Sequence, residues 1–319
     1  MATGPADVRV LVTGGCGYVG TKLTQALLAR TDHHVTVLDA MWFGNFLTPH
    51  PRLTVLAQDI RTIDAVDLSG FDTIVHLANI ANDPSVELNP YASWEVNVLA
   101  TMRLADRAAR QGVKQLVFAS SGSVYGVTPE PRVTEDMDLR PLSEYNKTKM
   151  VAERVILSYA DSMVTTIIRP ATVCGPSPRM RLDLTVNLLT MQALTKGTMT
   201  VLGGSQIRPN IHIDDLVNVY LFVLDRRLAG VYNAGFENLS VLEIAQRIAA
   251  RVPADVTIVP SNDPRSYRQC SDRLVAAGFA PTKNVATAVA ELAALYGAGQ
   301  LKDEPSAHNV SWMKQHNLG

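Results

Sequence analysis

The sequence predicts an α/β protein: a doubly wound parallel sheet with helices on both faces and a smaller, discontinuous α/β lobe. Three observations predict it. Short β-branched runs alternate with helical patterns through the first two-thirds of the 319 residues. Those runs are apolar on both faces, as strands buried between two helix layers have to be. The first of them leads directly into a glycine turn and a helix start, Val12-Thr13-Gly14-Gly15-Cys16-Gly17-Tyr18-Val19-Gly20.

In chain order, strands are expected at residues 8–13, 34–39, 53–57, 73–77, 115–120 and 164–169, with helices near 18–30, 91–111 and 144–159. After Pro170 the rhythm changes. Residues 171–210 are rich in Pro, Gly, Met and Arg around one helix pattern near 184–195. A helix is expected over 211–227, and a short strand over 230–235. Ser240 and Glu243 have capping-box spacing, so a helix should start there and run to about 251. A last helix near 284–296 precedes a polar tail from Gln300. With no repeat and no long linker, the expected organisation is a sheet domain from 1–170 and 211–235, a second lobe from 171–210 and 236–299, and a tail over 300–319.

Composition narrows the function. Hydrophobic residues at 47% and charged residues at 18% describe an ordinary globular chain, not a disordered one. Lys+Arg 29 against Asp+Glu 30 leaves no basic excess for a general nucleic-acid binder, although a few local arginines can still hold a small anion. No apolar run is long enough to suggest a membrane span, and the N-terminus lacks the regions of a signal peptide. Cys16, Cys174 and Cys270 are odd in number and show neither disulfide nor zinc spacing. A cytoplasmic chain without metal is the expectation.

The glycine turn points to a dinucleotide. Gly15, Gly17 and Gly20 fit G-x-G-x-x-G, while Gly14, Gly17 and Gly20 fit the related G-x-x-G-x-x-G. Such glycines allow a tight turn and close approach of backbone to pyrophosphate, which the helix N-terminus at Tyr18 and Val19 then meets with free N–H groups. Asp39 ends the next strand, placed to bind ribose hydroxyls. No Lys or Arg follows within residues 40–45 to neutralise an extra phosphate, so NAD is favoured over NADP. Asp59 and Ile60, after the third strand, are placed to meet adenine.

Tyr145 and Lys149 form Tyr-x-x-x-Lys on a predicted helix, where four-residue spacing puts both on one face. A free phenol titrates near ~10, too high for a base at neutral pH, and a neighbouring ammonium favours its ionised form. Lys149 is also placed to bind the nicotinamide ribose. Upstream, Ala119-Ser120-Ser121-Gly122-Ser123-Val124-Tyr125-Gly126 puts hydroxyls at the ligand end of the fifth strand, where a serine can hydrogen-bond an oxygen whose charge changes. Ser120 also fits a plain loop-satisfying role.

Taken in order, the glycine turn, His76-Leu77-Ala78, Asn97-Val98, Ser-Ser-x-Ser-Val-Tyr-Gly, Tyr-x-x-x-Lys, Arg169-Pro170 with Gly175-Pro176, and Ile211-His212-Ile213-Asp214-Asp215 resemble the extended short-chain dehydrogenase/reductase family of NAD-dependent epimerases and dehydratases. UDP-glucose 4-epimerase is its best-known member, and the resemblance spans about 8–278. It implies a Rossmann domain and a Ser121–Tyr145–Lys149 catalytic triad. It further implies NAD contacts from Gly14, Gly17, Tyr18, Val19, Asp39, Asp59, Ile60, Leu77, Ala78, Asn97, Ser120, Tyr145 and Lys149. His76 would be structural at its strand end.

Family dehydratases resemble one another in an Asp-Glu pair after the catalytic Ser or Thr, decarboxylases carry Glu at the position of Ser123, and 3,5-epimerases use Cys there. This chain has Gly122-Ser123 instead. The resemblance therefore implies a nucleotide-sugar 4-epimerase, with a 4-oxidase, reductase or dehydratase on the same triad as the alternative and a non-catalytic NAD-binding protein behind it. Substrate contacts are implied for Ser121, Ser123, Thr172, Arg181, Asn187, Arg208 and Arg265, bidentate arginine being suited to phosphate oxygens. Asn82-Asp83-Pro84 fits either a sugar-pocket wall or a capped turn. Cys174 stands where the family often has Tyr, so sugar specificity does not carry over. Relatives dimerise through a four-helix bundle, here near 91–111 and 144–159, and Ala105, Ala108 and Ala109 suit either that bundle or the core.

Overall fold

Seven parallel strands form the central sheet of the computed structural model, which describes residues 8–261 and 266–318. Among the described residues there are twelve strands: β1 Arg9–Thr13, β2 His34–Asp39, β3 Leu53–Ala57, β4 Thr73–His76, β5 Gln115–Ala119, β6 Val164–Pro170, β7 Thr172–Cys174, β8 Thr198–Leu202, β9 Ile207–His212, β10 Gly230–Ala234, β11 Glu237–Ser240 and β12 Asp255–Val259. The central sheet runs β10-β6-β5-β4-β1-β2-β3, so the chain starts in its middle and winds outward both ways. Order reverses beside β1, where an open parallel sheet leaves a crevice at its carboxyl edge.

The helices are α1 Tyr18–Arg30, α2 Asp83–Val86, α3 Pro90–Trp94, α4 Ala100–Arg110, α5 Glu144–Leu157, α6 Thr185–Lys196, α7 Ile213–Asp225, α8 Val241–Ala249, α9 Asp272–Ala276, α10 Val285–Gly297 and α11 Asn309–His316. Alternate strand residues feed two cores, since successive side chains point to opposite faces. Val10, Val12, Val37 and Val117 meet α1 and α7. Leu11, Ile74, Leu116 and Ile167 meet α4 and α5. Ala105 and Ala108 lie fully buried in that second core, so their small side chains serve close packing of α4 on the sheet.

The second lobe holds a three-stranded sheet, β11-β9-β7, and a parallel pair, β12-β8, packed with α6, α8 and α10 around Val186, Val201, Ile244 and Val289. Ser240 and Glu243 close the expected capping box at the start of α8. Beyond the strands β7, β8, β9, β11 and β12, which were not among those expected, two further features differ from expectation. The helix over 91–111 is broken into α3, one π-helical turn (Glu95–Leu99) and α4. The segment expected as a polar tail folds into a 3-10 turn (Pro305–Ala307) and α11, with Leu301, Ala307 and Met313 buried.

Behind the end of β5 lies a buried charged cluster. Arg169 of β6 grips Glu153 of α5 through Nε–Oε1 at 3.0 Å and Nη2–Oε2 at 2.7 Å. Its Nη1 donates to the Tyr125 hydroxyl at 2.7 Å, and that hydroxyl donates to Asn233 of β10 at 2.7 Å. Both charges are essentially out of water. Removing one partner would strand the other, so Glu153→Gln should cost about 3–5 kcal/mol of stability. Urea unfolding checks this, and a loss too small to measure would mean that the pair does not hold these elements together.

Candidate active site

The glycine turn is built by contact, not only by conformational freedom. Gly14 has a φ of +73°, and a Cβ there would lie 2.6 Å from the backbone nitrogen of Ala78. A Cβ on Gly20 would fall 2.1 Å from the Gly14 carbonyl oxygen. The ends of β1 and β4 and the start of α1 thus close on one another and leave bare backbone facing the cleft. Asp39 ties the next loop to this turn: its Oδ2 accepts from Cys16 N at 2.9 Å and its Oδ1 from Met41 N at 2.7 Å. Burial raises its pKa, while these two backbone bonds and the charge of Arg179 act against the rise.

A cleft of about 750 Å³ runs from this turn, between the lobes, to the end of β5. Gly14, Gly17, Tyr18, Val19 and Asp39 line one end; Asp59 and Ile60 stand beside them. Leu77, Ala78, Ser120, Ser121, Ser123 and Tyr145 line the middle. Thr172, Arg181 and Arg208 come from the far side. A bare glycine cradle at a helix N-terminus with a carboxylate at the next strand end fits a dinucleotide. Asp59 lines the cleft with its carboxylate already forked by Arg61, at 3.1 and 2.8 Å.

Three expected contacts are placed differently. Asn97 is buried and spends its amide on Ile80 N at 2.8 Å, Ile80 O at 3.1 Å and Thr148 at 3.1 Å, so it fixes the loop after β4 from behind. Asn187 is buried too: it accepts from Gly175 N at 2.9 Å and donates to the Tyr18 hydroxyl at 3.1 Å and Arg181 O at 2.9 Å. Lys149 is 1% exposed and does not line the cleft. Arg265 lies outside the described residues. His76, held between Thr13 at 2.7 Å and Thr101 at 2.8 Å, is driven down to about 3 by burial and then by Lys149, so it is neutral and structural.

At the end of β5, Ser120 donates to Glu153 and so belongs to the buried cluster. Ser121 and Ser123 share a hydrogen bond at 2.7 Å, and Ser121 stands near enough to the Tyr145 phenol to favour its ionised form. Lys149 donates to the Ala119 carbonyl at 2.6 Å, with its ammonium 4.8 Å from the Phe118 ring centre and 5.9 Å from that of Tyr145. The phenol does not show the expected lowering in the protein's own environment. Burial and then Asp83 push it up to about 12, against Arg181 and Ser121. Water is stripped from the phenol while an acid stands near it; bringing it down takes a further cation.

Several cleft residues were not anticipated as contacts: Trp42 and Phe43 after β2, Asp183 before α6, and Asn309 and Val310 of α11. Arg179, which with Arg181 flanks Met180 and belongs to the basic residues that the sequence offers to a nucleotide sugar, also lines the cleft. Asn309 had no local signal.

A family model described as the NAD dependent epimerase/dehydratase family matches residues 10–235. A Bacillus subtilis (strain 168) protein described as the uncharacterized UDP-glucose epimerase YtcB is 33% identical over 261 residues, covering 76% of this chain and 81% of the relative. The solved structure of MoeE5 in complex with UDP-glucuronic acid and NAD superposes with a TM-score of 0.81 at 26% identity, covering 91% of this chain and 99% of MoeE5. DesIV, a dTDP-glucose 4,6-dehydratase from Streptomyces venezuelae with NAD and TYD bound, superposes at 0.83 with 26% identity, covering 92% and 98%.

Burial pulls the Lys149 amine down to about 7, against the nearby Glu153 carboxylate. Above that pH an unfolded chain holds a proton on this lysine that the fold does not, so stability should rise with pH from about 7 toward 10. In cofactor-free protein, Lys149→Met should be more stable than the parent by a margin that is largest near pH 7 and shrinks toward pH 10. Urea midpoints measured across that range check it, and a margin independent of pH would show that the amine is not depressed.

Proposed function

The chain belongs to the NAD-dependent epimerase/dehydratase family, and from that premise we propose that it is a nucleotide-sugar 4-epimerase. The observation that carries the reading is the cleft-lining Tyr145 phenol, with Ser121 lining the cleft beside it and Lys149 packed behind it, next to a glycine cradle that fits the dinucleotide. Gly14, Gly17, Tyr18, Val19 and Asp39 would hold NAD, with Leu77 and Ala78 beneath it. Bound there, NAD supplies a hydride acceptor and donor together with a positively charged ring.

The protein's own part is proton handling and aim. Tyr145, as phenolate, takes the proton from the sugar hydroxyl at C4 while that carbon is oxidised, and the phenol gives the same proton back when the 4-keto sugar has turned and is reduced on its other face. Ser121 hydrogen-bonds the sugar oxygen as its charge changes. Lys149, held by the Ala119 carbonyl, fixes Tyr145 from behind and favours the phenolate when protonated. Arg208 and Arg181 are proposed to meet the nucleotide diphosphate, with Thr172 and Ser123 beside the sugar; Arg181 is already paired with Asp183 at 2.9 and 3.0 Å, which sets its fork.

One observation favours a second reading. Asp83 lines the cleft, its charge reaches Tyr145, and Ser143 donates to it. A carboxyl there is an additional acid or base of the kind that water elimination needs, so a dehydratase on the same Tyr145 is the alternative. A homodimer is part of the proposal, supported by exposed Tyr91, Leu99 and Met102 along the α3–α4 segment, as is a cytoplasmic setting, with which three free thiols agree.

Incubation of the purified chain with UDP-, GDP-, CDP- and dTDP-sugars should interconvert C4 epimers of one of them without added cofactor, read by NMR. Accumulation of a 4-keto-6-deoxy product would replace the epimerase reading with the dehydratase one. Tyr145→Phe should lower turnover roughly hundred- to ten-thousandfold, the usual contribution of a positioned acid–base group, while NAD stays bound. An unaffected rate would remove the proposed base.

A further inference from the structure

The last described residues cross from one lobe to the other. Leu301 and Ala307 are buried against Leu182, Met191 and Leu292 of the second lobe, whereas Met313 is buried in the core that α4 and α5 share with the sheet. Between these anchors the segment is stitched down. Leu182 N donates to Ala307 O at 2.9 Å, Asn309 N to Asp183 Oδ2 at 3.3 Å, and Trp312 Nε1 to Trp42 O at 2.7 Å. Asn309 Oδ1 accepts from Nη2 of Arg179 at 2.6 Å.

Arg179 is 3% exposed yet lines the cleft. Its guanidinium carbon lies 4.1 Å from the centre of the Phe43 ring, and its buried Nε has no hydrogen-bond partner. The adjacent carboxylate of Asp183 is forked by Arg181, and Arg179 makes no ion pair among the described residues. A buried cation left without a counter-ion is costly, and an anion arriving in the cleft would offset that cost. Arg179 stands at the cofactor end of the cleft, stacked on Phe43 of the loop that follows Asp39. Its charge reaches Asp39, and that of Arg181 reaches both Tyr18 and Tyr145.

We propose that Arg179 binds phosphate oxygens of the dinucleotide's pyrophosphate, carried to the cofactor end of the cleft by the second lobe and held in place by Asn309 of the C-terminal segment. The glycine turn then grips the pyrophosphate from the sheet domain while Arg179 grips it from the opposite lobe, so cofactor release requires that contact to open. This rests on the NAD reading above.

Isothermal titration of cofactor-free protein with NAD, NADP and UDP separates the possibilities. Arg179→Met should weaken NAD binding roughly ten- to hundredfold, the range for a lost hydrogen bond to a charged group, and leave UDP binding unchanged. Asn309→Ala keeps the cation and loses its anchor, so it should weaken NAD binding by a smaller factor and quicken NAD release in stopped flow; if Arg179→Met melts too early to titrate, this variant decides. Unchanged NAD affinity in the deciding variant would make Arg179 a packing residue and overturn the inference. A loss falling on UDP alone would assign it to the substrate diphosphate, and one falling on NADP alone to a 2′-phosphate; either also overturns it. Should the parent chain bind no NAD, the cofactor reading itself fails, independently of Arg179.

Discussion

The grip of Arg169 on Glu153 fixes the place where β5 ends and the reactive loop begins. A guanidinium and a carboxylate taken out of water are costly unless their remaining hydrogen-bonding groups find partners. Here they do: Glu153 also accepts from Ser120, and Arg169 donates to Tyr125, which reaches Asn233. Gln269 closes the cluster by donating to the Arg169 carbonyl at 2.7 Å and to Asn233 at 3.0 Å. Five separate stretches of chain are thereby locked to one another. The loop carrying Ser121 and Ser123 runs between two of its members, so its hydroxyls inherit a fixed position.

On this frame the charges in and around the cleft are arranged with few direct partners. Lys149 is shut behind Phe118 and Tyr145 with one carbonyl for company, and its amine is correspondingly easy to deprotonate. Tyr145 is hard to ionise for the same reason, namely lost water. These shifts oppose one another: a buried amine and a buried phenol each prefer the neutral form until another charge arrives. On the proposed reading, a cationic ring beside the phenol would be such a charge, and proton transfer would wait for an occupied cleft.

Fold similarity does not choose the reaction. The superposable structures include a dehydratase, DesIV, as well as MoeE5 with a UDP-sugar, and one scaffold hosts many chemistries through its site. The choice therefore rests on single residues: Gly122 and Ser123 after Ser121, where no carboxylate stands, and Asp83 across from them.

Much was legible before any coordinates. Strand and helix periodicity gave the central sheet because buried parallel strands need apolar residues on both faces, and the glycine turn, Asp39, Ser121 and Tyr145, picked out by their spacing along the chain, are brought by the structure to one cleft. Less was legible where long-range partners decide. Asn97 and Asn187 looked like ligand contacts, yet each has its amide consumed by backbone brought from elsewhere. The strands β8 and β12 are short, separated by more than fifty residues, and become a sheet only by pairing with each other. The C-terminal residues read as a polar tail because the local pattern shows few apolar side chains; only the folded lobes provide the two cores that Leu301 and Met313 enter. Local sequence determined the sheet, the turn and the reactive groups, since those depend on near neighbours and on period. Tertiary structure alone decided which polar side chains face the cleft, because that depends on partners distant in the chain.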